Sequence, residues 1–230
     1  MNWTDFLLGA LVALIAGLDR TAAFQFMVSR PIVCGPLTGW VIGQPAIGLL
    51  IGALIELLWL GRLPVGAAIP PDDTQVAVGA TLLSVTMLDV FAVSSTAVVL
   101  LSLLIAMPLG KVGQFFDRRV RHRNARLVRQ AEADLNEGRI AAAPHRHWKG
   151  ILYFAFASLA TVVVIVAAGS LIMTLLGPLV IGEVERMKSW LVLAFPLVGA
   201  AVILGTINVS RAMTLFCSSF ATALLLLWLL

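Results

Sequence analysis

In a chain whose side chains are 60% hydrophobic, an ionisable group inside an apolar run is the first residue to explain. Such a group costs roughly 2.5 to 3.5 kcal/mol at the centre of a membrane helix, even on lenient insertion scales. Glu56 is the clearest instance. It follows Ile47-Gly48-Leu49-Leu50-Ile51-Gly52-Ala53-Leu54-Ile55 and precedes Leu57-Leu58-Trp59-Leu60-Gly61, with no charged neighbour until Arg62. A carboxylate so placed either pairs internally, with Arg62 or Arg30, or faces a polar cavity where it accepts hydrogen bonds from ligand hydroxyls.

The second group is the broken stretch Pro64-Val65-Gly66-Ala67-Ala68-Ile69-Pro70-Pro71-Asp72-Asp73-Thr74-Gln75. Asp72 or Asp73 can cap a helix that begins near Thr74, leaving its neighbour available to a ligand. An exposed turn would tolerate the same residues. Further polar candidates are Asp19 and Arg20, Gln25 within Phe24-Gln25-Phe26, Arg30-Pro31, and Asn208 with Arg211. Amides and carboxylates beside aromatic rings suit a ligand with hydroxyl edges and apolar faces, as a sugar has. The same groups could equally serve as hydrogen bonds between helices.

Other chemistries lack their residues. His122, His145 and His147 all lie in one polar segment, so no intramembrane histidine is expected as a general base or phosphoryl carrier. There is no Gly-Lys-Ser or Gly-Lys-Thr phosphate loop. Cys34 and Cys217 sit in apolar runs as small hydrophobes and imply neither a disulfide nor a metal. No catalytic residue, metal or cofactor is expected.

The elements that must hold these groups are membrane helices. Only 12% of residues are charged and the mean hydropathy is +0.99, against roughly a quarter charged in soluble domains. Uncharged runs at residues 90–110, 150–176, 189–210 and 212–230 are span candidates, the second ending at Gly177-Pro178. Before residue 90 the apolar runs 6–18, 31–55 and 76–88 are short or interrupted by Pro36 and Pro45. Such segments predict broken or re-entrant helices, which need burial by protein or a cavity to line. Gly35, Gly39 and Gly43, like Gly48 and Gly52, recur at four-residue spacing and are read as packing faces.

Charge is concentrated in one place. Between Lys111 and Lys149 there are ten Lys or Arg and four acids, whereas acids exceed bases elsewhere. A basic excess beside long apolar runs marks a cytoplasmic segment. Within it Val112, Phe116, Val120, Leu127, Ala131 and Leu135 share one helical face, Arg118, Arg119, Arg126 and Arg129 the other, and Gly138 offers a stop. The simplest use of this amphipathic helix is to fix topology and bind anionic membrane lipid; a second is to dock a soluble partner. The predicted fold is thus an all-α polytopic membrane protein with broken or re-entrant helices and an amphipathic cytoplasmic helix. It divides into an N-terminal membrane region at 1–110 holding the site, a basic cytoplasmic loop at 111–149 and a C-terminal membrane region at 150–230.

Several of these residues also form an ordered pattern. Phe24-Gln25-Phe26, Ser29-Arg30-Pro31, Gly39-Trp40-Val41-Ile42-Gly43, Gly48, Glu56-Leu57-Leu58-Trp59-Leu60-Gly61 and Val65-Gly66-Ala67-Ala68-Ile69-Pro70-Pro71-Asp72 resemble the IIC membrane subunit of the mannose/fructose/sorbose family of phosphoenolpyruvate-dependent sugar phosphotransferase systems. A fainter echo is Ile207-Asn208-Val209-Ser210-Arg211-Ala212-Met213. The resemblance implies a sugar permease subunit of the bacterial cytoplasmic (inner) membrane. It would work with a IID membrane subunit and soluble IIA and IIB phosphocarriers in an oligomeric complex. Histidines of the soluble subunits would pass phosphate to the hexose. Matched positions implied at the sugar are Gln25, Glu56, Asp72 and Asn208, and Asp73 joins them from its own place in the break. The resemblance also implies a further apolar helix and polar tail, so the C-terminal region reads as shortened, and the basic loop is richer in arginine than the family pattern. Two other readings stay open: an ion-coupled secondary transporter with Glu56 and the aspartate pair as relay, and a membrane scaffold without transport.

Overall fold

A computed structural model describes residues 3–61, 69–206 and 211–229. Among these the secondary structure is helical throughout, in α1 (Trp3–Thr21), α2 (Pro31–Val41), α3 (Pro45–Trp59), α4 (Asp73–Met87), α5 (Ser95–Asn136), α6 (Ala142–Thr206) and α7 (Ala212–Leu229).

The breaks before residue 90 follow from local chemistry. α2 and α3 each begin with proline, whose missing N–H costs nothing in the first turn of a helix. Their 11 and 15 residues span about 16 and 22 Å at about 1.5 Å per residue, short of the roughly 30 Å hydrocarbon core. The chain reverses between them at Gly43, with φ +77°, and the two helices pack backbone against backbone. A Cβ added to Gly35 would come within 2.6 Å of the Gly48 carbonyl oxygen, so the glycine spacing is a packing face.

α4 is the central element. Every residue from Thr74 to Ser84 is buried, and the helix touches α1, α2, α3, α5 and α6. A helix apolar on all sides needs neighbours on all sides. Ile51, Ile55, Leu82, Leu83, Leu100, Leu103, Ile165 and Met173 form the wholly buried centre around it.

α5 is capped by Ser94, whose hydroxyl receives the Ala97 N–H at 3.4 Å. Its 42 residues extend about 63 Å, twice the hydrocarbon core. The amphipathic stretch is therefore the outer half of α5 and not a separate helix. Ala106, Gly113, Val120, Leu127 and Asp134 are buried at seven-residue intervals, the spacing of a coiled-coil seam, and α6 runs back along it. Only residues 137–141 intervene, with Gly138 at φ +77° stopping the helix.

The expected stop at Gly177-Pro178 is corrected. α6 continues through Pro178 and Pro196 for 65 residues, so the runs at 150–176 and 189–206 belong to one helix. A proline forfeits one hydrogen bond and bends a helix without ending it when packing holds the flanks; Gly177 is buried against the Phe91 ring. By length and composition α5 and α6 can each cross a membrane, and the second half of α6 and α7 expose apolar side chains such as Trp190, Leu226 and Trp228.

Candidate functional site

The polar residues of the N-terminal half meet where α1 ends and α4 begins. Asp19 is buried and receives the N–H groups of Phe26 at 2.6 Å and Ser29 at 2.9 Å. These bonds fold residues 22–30 into a tight loop in which Phe24, Gln25 and Met27 take φ of 66°, 56° and 65°. Left-handed backbone costs a non-glycine residue about 1 to 2 kcal/mol, so the loop is held against its own preference. Its outcome is to expose Phe24, Gln25, Phe26 and Met27, with the two phenyl rings stacked 5.7 Å apart.

Asp72 caps α4. Its Oδ1 accepts the Gln75 N–H at 3.0 Å and is ion-paired with Nη1 of Arg20, the last-turn arginine of α1. Nη2 of the same guanidinium lies 3.2 Å from Asp73 Oδ1 and donates to the Pro71 carbonyl at 3.3 Å. Residues 69–72 are fixed to α5: Asp72 N–H donates to Gly110 O at 3.1 Å, and the Gln114 amide donates to Ile69 O. Gly113 permits this approach, since a Cβ there would sit 2.5 Å from Asp72 Cβ and 2.9 Å from Thr161 Cγ2. A cavity of about 20 Å³, room for about one water, lies among Arg20, Asp72, Asp117, Ser158 and Thr161.

Glu56 serves the neighbouring helix. One carboxylate oxygen is paired with Arg30 Nη2, and the other accepts the Ile32 N–H at 3.3 Å. α2 has no side-chain cap of its own, so α3 supplies the anion that its N-terminus favours. The two carboxylate groups are joined through the backbone of Ser29, whose carbonyl accepts the Thr74 hydroxyl at 2.7 Å. Cys34 Sγ lies against the same carbonyl, at 3.9 Å, and that of Thr74, at 3.7 Å.

The expected site residues are thus only partly gathered. Asp72 and Asp73 share Arg20, and Glu56 sits across the Ser29–Thr74 contact with Arg30, one of the two arginines expected for it. Gln25 stands on the exposed loop, and its side chain makes no hydrogen bond among the described residues. Asn208 and Arg62 lie outside the described residues. Gln75 was missed. It is wholly buried, its amide nitrogen donates to Ala13 O at 2.8 Å, and its Oε1 is buried without a partner among the described residues. The available signal was an amide opening an otherwise apolar helix.

Chemically, three carboxylates and two guanidiniums at helix ends can exchange hydrogen bonds with a polyol. A cavity of about 380 Å³ is lined by Leu58, Trp59, Pro71, Met107, Lys111 and Val198; none of the five charged groups is in its wall, and Pro71 joins it to Asp72 only along the chain. Its volume is within the range of small-molecule sites. Among the described residues no group of three or more His, Cys, Asp or Glu could hold a metal ion.

Comparison with known proteins agrees in sequence and in fold. The family model described as "PTS system sorbose-specific iic component" matches residues 3–229. The "Putative N-acetylgalactosamine permease IIC component 2" of Escherichia coli is 45% identical over 67 residues, covering 29% of this chain and 49% of its own. The mannose-specific EIIC component of the phosphotransferase system of the same organism is 26% identical over 137 residues, 60% of this chain and 48% of its own. The matches span about half the length of these curated relatives. The cryo-EM structure of the mannose transporter ManYZ with microcin E492 superposes with a TM-score of 0.61 at 24% identity, covering 97% of this chain and 87% of that one. Another membrane protein structure superposes with a TM-score of 0.68 at 23% identity over the same shares. At these identities the superpositions establish the fold, an α-helical integral membrane architecture, and the family model, matching nearly the whole length, places the chain in the sorbose-specific IIC component family of the phosphotransferase system.

Proposed function

We propose that the chain is the sugar-permease IIC subunit of a mannose-family phosphotransferase system, binding a hexose and carrying it across the bacterial inner membrane as soluble partners phosphorylate it. The observation that carries this reading is the set Glu56, Asp72 and Asp73, held by Arg30 and Arg20 at the ends of short helices. Their oxygens accept hydroxyl donors and the arginines donate to hydroxyl oxygens. Gln25 and Asn208 complete the sugar shell. The region 1–110 carries the site. The basic segment 111–149 lies in the cytosol, where a positive excess is retained. A IID-like membrane subunit and soluble IIA and IIB carriers are the partners, in an oligomeric complex.

Ion-coupled transport is the weaker alternative. A cation or proton relay needs a carboxylate that is not already neutralised. Here Arg30 neutralises Glu56, and Arg20 offsets one of the two charges of Asp72 and Asp73, so a relay would rest on that aspartate pair alone.

The test is phosphoenolpyruvate-dependent phosphorylation of a hexose panel by membranes containing this chain, its IID-like partner and the soluble carriers. Sugar phosphate formation should depend on the chain and fall at least tenfold in Glu56→Ala. Glu56→Gln, which keeps an acceptor for Ile32, separates loss of binding from loss of folding. Absence of phosphorylation in an assembled wild-type complex would overturn the reading in favour of ion-coupled transport or a scaffold.

A further inference from the structure

Two cavities lie end to end where α1 meets the α5–α6 arm. The inner one is the water-sized cavity among Arg20, Asp72, Asp117, Ser158 and Thr161. The outer one, of about 420 Å³, runs between α5 and α6 from Asn124 and Gly150 out to Glu132, Arg146 and His147. Thr21 and Phe154 stand in the wall of both, so a hydroxyl and a phenyl ring form the partition between them.

The two long helices line this route in register. On α6, Gly150, Phe154, Ser158 and Thr161 follow one another at spacings of four, four and three residues, which is a single helical face. On α5, Asn124, Asp117 and Gly113 descend the opposite wall in the reverse order, as antiparallel packing requires. Asn124 Nδ2 donates to Gly150 O at 3.3 Å, and its Oδ1 is buried without a partner among the described residues. An orphaned acceptor is accounted for where water or a polar solute can enter.

The chemistry of the walls chooses the passenger. The outer cavity ends among charged side chains, beyond the exposed Leu152 and Phe156 that mark the apolar surface of α6, so it opens toward water. An acyl chain could fill that outer part but not the inner one, whose wall carries two carboxylates and a guanidinium. The same groups suit a polyol, and the outer volume is in the range of small-molecule sites. As it stands the inner cavity admits about one water, so the structure shows the route closed. Phe154 is the obstacle that can move. Rings inside a protein are held by close-packed neighbours, whereas Phe154 is half-buried and borders the open outer volume, into which its ring can turn.

We propose that this route joins the sugar site to the side of the membrane on which the basic segment lies, with a hexose as its passenger and Phe154 as its gate. The passenger rests on the function proposed above; the route rests on the two cavities and the wall they share.

The experiment places a thiol in the inner cavity with Ser158→Cys, in a Cys217→Ser background, since Cys34 is buried and Cys217 exposed. The chain and its IID-like partner are studied in inside-out and right-side-out membrane vesicles with a membrane-impermeant cationic methanethiosulfonate. Labelling is expected from the side of the basic segment, at least tenfold faster with Phe154→Ala and at least threefold slower with Phe154→Trp. Ser84→Cys, wholly buried in α4 away from the route, is the control for general loosening. A rate that Phe154→Ala leaves unchanged, an equal gain at Ser84→Cys, or labelling from the opposite side alone overturns the proposal. Hexose phosphorylation by the same complex separates the route from the reading it rests on. Phe154→Trp should lower the maximal rate at least threefold without raising KM, because it hinders transit and leaves the binding carboxylates intact. A wild-type complex that phosphorylates no hexose fails the permease reading and removes the passenger, whereas an active complex indifferent to Phe154→Trp fails only the route.

Discussion

Two ion clusters built from the same residue types face opposite ways. At the start of α4 one arginine, Arg20, lies between two carboxylates, Asp72 and Asp73. At the tip of the α5–α6 arm one carboxylate, Asp134, lies between two arginines, Arg139 and Arg146. The first cluster keeps an excess of acceptors and the second an excess of donors. Their surroundings differ as well: the Arg20 side chain is 22% exposed among four helices, whereas that of Arg139 is 54% exposed. The comparison teaches that pairing alone does not define a role. What counts is which charge is left over and whether water can replace a lost partner.

Removing the shared cation should therefore do the greatest damage. Arg20→Ala leaves two adjacent carboxylates facing each other at a helix end. Breaking a fully buried pair costs roughly 3 to 5 kcal/mol; with partial solvent access, about 2 to 3 kcal/mol is expected here. Equilibrium unfolding in detergent would measure it, and a variant as stable as wild type would break the contrast between the clusters. Arg20→Lys should recover only part, because an ammonium cannot reach both aspartates and the Pro71 carbonyl in the way a planar fork does.

Gly113→Ala comes next. The added methyl must displace Asp72 Cβ and Thr161 Cγ2, and overpacking of this kind costs about 1 to 3 kcal/mol. It also loosens the aspartate from α5 without touching a charge. If the same unfolding assay finds no loss, the close approach of Asp72 to α5 is not what holds the cluster. Glu56→Gln should be milder, about 1 kcal/mol, since the amide oxygen can still accept the Ile32 N–H and only the charge on Arg30 is left uncompensated at a half-exposed position.

Much of this was legible from residue types. Pro31 and Pro45 marked where the short helices begin, because proline constrains its own φ and lacks a donor wherever it sits, whereas Pro36, expected to interrupt the run, lies inside α2 and ends nothing. Glu56 stood out because a lone carboxylate in an apolar run has few inexpensive solutions, yet sequence could not choose between Arg62 and Arg30. The choice of Arg30 depends on α2 folding back on α3, a contact made by glycines that carry no label for their partner. Arg20 was visible as a charge, but its place between two aspartates depends on α1 running antiparallel to α4. Pro178 misled because the rule that proline ends a helix is local, and Gly177 packed on Phe91 is not. Gln75 was passed over because nothing in its neighbours shows that α4 would be enclosed on every side.

The smallest expected effect lies at the arm tip, and it concerns pH. A hydrogen bond from Arg139, helped by Arg146, holds the Asp134 carboxyl below its ordinary range against the opposing effect of burial. A carboxylate with a lowered folded-state value stabilises the fold above its unfolded value, about 3.9, and that contribution disappears as pH falls through the lower folded value. The tip should thus be insensitive to pH between about 7 and 5 and open only below about 4. Amide hydrogen exchange of residues 134–146, referenced to unstructured peptide rates, would show this as a step in protection. Asp134→Asn should abolish the step while leaving α4 exchange unchanged, since α4 makes no contact with the tip. A step between pH 5 and 7, or one that survives in the asparagine variant, would mean that a group other than Asp134 controls the tip.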